Sequence, residues 1–365
     1  MATSFKALNN NDVTRSRTKL HESIPITGSI VSGSVYQETV GGALIPSLNV
    51  KNYGHEMFQS VYDYPYLSSS ANHIIDVTAG FSANAPIAGA THSVNVVQRN
   101  KKNDIYNELS QMLAGYDTTG SINELDVSGN FGGGVSTEKL GGILVLNFAR
   151  LLTKDEIQKN GSAGAGFSMT LGVSASYQNA FDKTLTIRDK SNNSYRTNSP
   201  SGEFNVLYAT SSYGVDDLAC GLLFYQAGVV VLTASVFQDE FIDSCQMNSS
   251  GQLMDDMLVS GSITASCDGF RHRIGEISFN NTTELNSTVY FCRANNSEFN
   301  LSSNPTYLSS SQIRVKEVST DNPVSYVTTV GLYSEDNALL AVSKLSEPLK
   351  KAPDSELTLR VRLDY

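Results

Sequence analysis

The sequence predicts a mainly β protein, built of β-sandwich-like sheets with a few short helices, and three observations carry that expectation. Charged residues form only 17% of the chain against about 25% in an ordinary globular protein, and neutral Ser, Thr, Asn and Gly take their place. β-Branched and aromatic runs recur along the chain, bounded by Gly, Asn and Asp turn signals. Helical periodicity is confined to short patches, and no fixed-period repeat of the propeller or solenoid kind is present.

Taken in order, residues 9–21 are polar and charged, from Asn9 to His21, and read as an extended arm ahead of Ile24-Pro25-Ile26. From Ile26 to Val50 apolar and polar residues alternate between glycines, which predicts short strands and tight turns. Between His55 and Tyr62 the residues Met57, Phe58, Val61 and Tyr62 share one helical face, and Pro65 then stops the pattern, so a short helix is expected. A longer helix is predicted from Asn103 to Ala114, where Ile105, Leu109, Met112 and Leu113 repeat at helical spacing and Gly115 supplies the stop.

Residues 118–142, centred on Gly132-Gly133-Gly134, read as a loop or hairpin tip, and Gly142 to Phe148 as a buried strand. Thr153-Lys154-Asp155-Glu156 has capping-box spacing and predicts a helix start. Strand patterns then dominate at 167–173, 184–188, 204–209, 274–279, 288–292, 313–318, 324–333, 339–342 and 357–363, with one helical turn at Met254 to Leu258. The last strand is the plainest, with Leu357, Leu359, Val361 and Leu363 on one face and Thr358, Arg360, Arg362 and Asp364 on the other. The expected organisation is an N-terminal arm (1–22), a β-rich body (23–240) and a C-terminal β unit (263–365), divided within the acidic, Gly- and Ser-rich stretch 239–262.

Charge excludes one class of partner. With 26 basic and 36 acidic residues the net charge is -10, and no basic face is clustered enough for a nucleic acid. The longest apolar stretch, Gly221 to Phe237, is interrupted by Gln226, Gly228 and Thr233, so it predicts two buried strands meeting at a turn near Gln226–Gly228 rather than a membrane span. The segment Met1 to Lys6 lacks a basic region followed by an apolar stretch, which gives the expectation of synthesis in a reducing cytoplasm with Cys220, Cys245, Cys267 and Cys292 as free thiols.

The search for chemistry predicts no metal, no cofactor and no enzyme. His21, His55, His73, His92 and His272 are scattered without ligand spacing, and no nucleotide loop or nucleophile elbow is present. Acidic pairs such as Asp255-Asp256 lie in polar turn-like sequence and read as solvent-facing. Protein contact is the expectation for the aromatic group Tyr53, Phe58, Tyr62, Tyr64 and Tyr66, because tyrosine combines large area with a polar tip; an ordinary aromatic core is the other reading. Arg271, His272 and Arg273 are expected at a strand start as a surface or interface cluster, with an anion-binding patch as the rarer alternative.

At 23–29 (SIPITGS), 57–72 (MFQSVYDYPYLSSSAN), 280–295 (NNTTELNSTVYFCRAN), 304–307 (NPTY), 327–333 (VTTVGLY) and 339–342 (LLAV), the chain resembles a virion structural protein of marine T4-like myoviruses of the cyanophage type. The likeness spans nearly the whole sequence. It implies a non-enzymatic particle component, assembled in the host cytoplasm, whose partners are other phage structural proteins and copies of itself. The 327–342 pattern is similar to β units of tail and baseplate proteins, which favours that address over neck or capsid surface. A receptor- or glycan-binding module of the tail, and a particle-associated depolymerase, are the alternatives.

Overall fold

The computed structural model describes residues 5–36, 39–40, 43–44, 48–65, 71–89, 96–131, 139–159, 166–190, 195–302, 305–309, 312–313, 318 and 320–365. Strands dominate over helices, 45% against 19%, and the expected mainly β class is observed. The chain divides into two compact units, one formed by Leu20–Thr283 and the other by Met1–Lys19 with Glu284–Tyr365. The division falls at 283/284, and the stretch 239–262 lies inside the larger unit.

In the larger unit one antiparallel sheet runs in the order Ser168–Gly172, Thr184–Asp189, Gly202–Ser211, Val215–Phe224, Val229–Thr233, Gly142–Phe148, His73–Phe81, Gln59–Tyr62 and Val50–Asn52. The five strands from 168 to 233 form a meander that returns to lie beside Gly142–Phe148, with Val231 opposite Val145. Both faces of the central strands are covered. Leu144, Leu146, Val230 and Leu232 enter one apolar cluster, while Ile143, Val145, Val229 and Val231 enter another. This double burial explains why 142–148 and 221–237 are continuous apolar runs rather than alternating ones. The expected hairpin is present, Phe224 opposing Val229 across a turn in which Gly228 takes a left-handed φ of 68°.

Phe148 meets Phe279 at 5.0 Å and Phe167 at 6.1 Å, although their strands are distant in sheet order. The sheet therefore folds over itself and packs its inner face sandwich-like, one layer on the other.

Five helices are described: α1 (Gly28–Ser32), α2 (Val96–Leu113), α3 (Arg150–Thr153), α4 (Met254–Val259) and α5 (Ile263–His272). Helix α2 covers 103–113 of the predicted 103–114 segment and is longer at its N-terminal side. It crosses the strand His73–Phe81 at Gly80, where a Cβ would lie 2.8 Å from the Lys102 carbonyl, so only glycine permits the approach. Lys102 itself is fully buried and donates to the carbonyls of Met257 (2.7 Å), Leu258 (2.7 Å) and Gly261 (2.8 Å), closing the C-terminal end of α4.

Several local expectations are corrected. Residues 59–62 form a strand rather than the end of a helix, because Gln59, Ser60 and Val61 pair with Val50–Asn52 on one side and with His73–Phe81 on the other. Thr153 ends α3 instead of capping a new helix, since Lys154 turns left-handed at φ 56° and Glu156–Ile157 pairs with Asn281 and Thr282. The region after Ile26 begins with α1 rather than a strand, and 263–272 is helix α5, whose Ser262 hydroxyl accepts the Ala265 amide at 3.1 Å. The expected arm is extended but is also a strand, Val13–Thr27, neighbouring Ile274–Ala294 in the sheet order. Of the expected strand at 313–318, Ile313 lies in the strand Gln312–Ile313 while 314–317 lie outside the described residues, as do the glycines 132–134.

The smaller unit is built differently. Ser287–Ala294 pairs antiparallel with Leu357–Asp364, and Ser325–Tyr333 forms a hairpin with Leu339–Lys351. Alternation in Leu357–Asp364 is as predicted, with Val361 buried and Leu357, Leu359 and Leu363 half-buried between exposed Thr358, Arg360, Arg362 and Asp364.

Candidate assembly surface

The residues predicted for protein contact separate into three groups. Tyr53, Phe58 and Tyr62 come together in one cluster beside the strand Gln59–Tyr62: the Tyr53 ring stacks on His55 at 5.2 Å and lies 4.9 Å from Phe58, and its hydroxyl is 3.5 Å from that of Tyr62. The Tyr53 hydroxyl is 3.1 Å from Ser60 Oγ, which donates to Asp76 Oδ1 at 2.5 Å, and His73 Nε2 meets the same oxygen at 2.7 Å. Burial, then the Tyr53 hydroxyl, push the Tyr62 phenol up to about 12, so it stays protonated. These groups satisfy one another. Ser60 and His73 thus share one carboxylate oxygen of Asp76. Tyr64 is exposed, with its ring edge-on to Tyr36 at 6.1 Å, and Tyr66 lies outside the described residues.

Arg271 and Arg273 are not a surface cluster. Arg271, at the end of α5, donates Nη1 to the carbonyls of Val31 (2.9 Å) and Ser32 (3.1 Å), Nε to Gln59 (3.0 Å) and Nη2 to Asp268 (2.5 Å). It thereby caps α1 and ties it to α5 and the sheet. Arg273 is fully buried and reaches four carbonyls, of Gly172 (3.0 Å), Ser174 (2.6 Å), Ser176 (3.2 Å) and Gln246 (2.6 Å). Its planar fork matches converging backbone oxygens, which a lysine cannot span. His272 stacks on Tyr177 at 4.2 Å and hydrogen-bonds its carbonyl at 2.9 Å. The Arg-His-Arg triplet is thus an internal clamp, because a helix end, unlike a strand start, turns these side chains back against the body.

The feature that sequence reasoning did not single out is the surface of the smaller unit. Among its described residues only Val289, Ala352 and Val361 are buried apolar side chains, and neither apolar cluster of the protein includes any of them. Large apolar groups stand outside instead: Leu340 is 67% exposed, Phe5 63%, Leu339 and Tyr326 53%, and Val342 52%. On one face of the hairpin the Tyr333 ring lies over Gly331, where a Cβ would come 2.9 Å from it, and Phe5 meets that ring edge-on at 5.2 Å. The turn is closed by Ser334 and Asn337, the latter left-handed at φ 60°, and is well formed.

A two-stranded hairpin without a covered face is marginal in water, and contiguous exposed apolar groups mark contact surfaces. The signal in the sequence is Leu339-Leu340-Ala341-Val342, four consecutive apolar residues that a single hairpin is unable to bury on both faces.

Local order in this unit comes from polar contacts. Arg293 pairs with Asp12 at 2.9 Å, Lys6 with Glu298 at 2.5 Å, Lys19 with Glu284 at 3.0 Å, and Arg17 also with Glu284. Lys351 is fully buried and donates to Asn300 Oδ1 at 2.8 Å and the Ala352 carbonyl at 3.0 Å.

In the larger unit a cavity of about 490 Å³ lies beside Arg188, Lys190, Tyr208, Thr210 and Asp217. Lys190 is ion-paired with Asp217, and Asp189 accepts from Tyr225 Oη (2.7 Å) and Asn205 Nδ2 (2.8 Å). Both carboxylates are therefore engaged. Among the described residues no group of three His, Cys, Asp or Glu is placed to hold a metal ion, and no helix is long and apolar enough to cross a membrane. Compared with protein-family models, curated proteins and solved structures, the chain matches none.

Proposed function

We propose that this chain is a non-enzymatic structural component of a tailed-phage particle, at the tail or baseplate, acting through contacts with other subunits. The observation that carries the reading is the contrast between the two units: the larger has a two-sided apolar core, whereas the smaller has no described residue in either apolar cluster and leaves Phe5, Tyr326, Leu339, Leu340 and Val342 exposed. Such a unit gains the burial it lacks only from neighbours. Low charge density favours broad permanent contact, since interface cores are depleted in charge. The setting comes from the sequence resemblance to marine T4-like virion proteins. Cross-linking mass spectrometry on purified particles tests it: links from Lys344 and Lys350 to other virion chains are expected, and absence of the chain from intact virions overturns the proposal.

The cavity beside Arg188, Tyr208 and Asp217 favours a second reading, a glycan-binding module, because it combines donors and acceptors with an aromatic ring. Binding of the purified chain on a glycan array, lost on Tyr208→Ala, would establish it in place of the first.

A further inference from the structure

The two edges of the hairpin in the smaller unit are unlike. Leu339–Lys351 carries Pro348, exposed Lys344 and Lys350, and two register breaks: Thr329 pairs with Lys344 but Val327 with Leu349, and Leu332 pairs with Ala341 but Tyr333 with Leu339. The extra residues at both breaks belong to this strand. Proline, lysine and bulges are the devices that keep an edge from adding another strand. Ser325–Tyr333 has none of them. It is nine residues, Ser-Tyr-Val-Thr-Thr-Val-Gly-Leu-Tyr, uncharged and rich in β-formers, and among the described residues no strand pairs with its outer edge. A protein that guards one edge of a hairpin and leaves the other open has an edge meant for use.

We propose that the outer edge of Ser325–Tyr333 pairs antiparallel with the same edge of a second copy of this chain, forming a four-stranded sheet across a two-fold axis. This deepens the assembly reading and rests on it. Charge points to a second copy as the occupant. The whole chain is at -10, which sets copies against one another, whereas residues 325–351 balance Lys344, Lys350 and Lys351 against Glu335, Asp336 and Glu347. The hairpin is thus a place where two copies meet with little repulsion. The pairing is also self-complementary: centred on Thr329, it sets Tyr326 opposite Leu332 and Val327 opposite Gly331 of the second copy, with no like charges facing. Four strands bring the hairpin to a size at which a sheet becomes stable.

In this arrangement Thr329 faces its own copy across the axis, with Cα atoms about 4.5–5.5 Å apart, inside the range a disulfide spans. The experiment uses the full chain carrying Thr329→Cys, mildly oxidised, beside Lys344→Cys on the guarded edge and the wild type as control for Cys292. Both substituted positions are exposed, so both variants are expected to melt with the wild type. Expected is disulfide-linked dimer from Thr329→Cys on the order of tenfold or more above either control, together with a dimer of the unmodified chain in sedimentation equilibrium. Cross-linking of Thr329→Cys no greater than that of Lys344→Cys overturns the proposal, as does a chain that sediments as a monomer over its whole soluble range. Detection in purified particles is read separately: a monomeric chain found in virions overturns the self-pairing alone, and a dimeric chain absent from virions overturns the particle assignment alone.

Discussion

Replacing Arg273 by Met separates an internal clamp from a contact residue. Four carbonyls lose their donor, and the bonds to Gly172 and Ser174 are wholly buried. A buried acceptor left unsatisfied costs about 1–3 kcal/mol, so those two alone account for about 2–6 kcal/mol. Removing a desolvated guanidinium that has no carboxylate partner among the described residues returns part of this, and a net loss of about 3 kcal/mol is expected. Urea unfolding followed by far-UV circular dichroism measures it, with the midpoint lowered and the slope unchanged. Arg273→Lys is expected to recover less than half, since three donors on a point charge do not reach four fixed oxygens. A surface contact residue moves stability by no more than about 0.5 kcal/mol, and a loss below about 1 kcal/mol for Arg273→Met would refute the clamp.

Other expectations follow from the same packing. Burial pushes Lys102 down to about 8, so between that pH and about 10.5 the unfolded chain binds a proton the folded chain does not. Wild-type stability relative to Lys102→Met therefore rises with pH across this window, by up to about 3 kcal/mol, and a difference that is flat from pH 7.5 to 10.5 contradicts it. At neutral pH Lys102→Met leaves three carbonyls without a donor and is expected to unfold at lower urea. Leu340→Asp is expected to leave the dilute chain within about 0.5 kcal/mol of wild type while reducing its incorporation into assemblies; destabilisation of several kcal/mol would mean this side chain is packed within the unit. Thiol titration of the native chain should detect Cys292 alone, slowly, because Cys220, Cys245 and Cys267 are buried and burial pushes each of those thiols up; rapid labelling of all four would refute that packing.

The strands were legible wherever period and turn chemistry agreed. Leu357–Asp364 shows its alternation because one face is wet, and the 221–237 hairpin shows its turn because Gly228 must be left-handed. Local signals failed where long-range pairing decides. Met57, Phe58, Val61 and Tyr62 do fit a helical face, yet residues 59–62 are claimed by strands on both sides, and nothing local records that competition. Thr153-Lys154-Asp155-Glu156 has the spacing of a capping box, but the left-handed turn at Lys154 hands Glu156 and Ile157 to Asn281 and Thr282, far along the chain. The candidate site was legible in part. Tyr53, Phe58 and Tyr62 do cluster, but Arg271 and Arg273 look exposed in a sequence because charge ordinarily is, and their burial depends on helix ends and loops that converge only in the fold.

The central claim is that the smaller unit gets its apolar burial from other subunits rather than from within. Amide hydrogen exchange of the dilute full-length chain tests this most directly. The account predicts that residues 325–351 exchange orders of magnitude faster than the core strands at 143–148 and 229–233, and slow down as concentration rises. Equal protection of the hairpin and those core strands, unchanged by dilution, would contradict it.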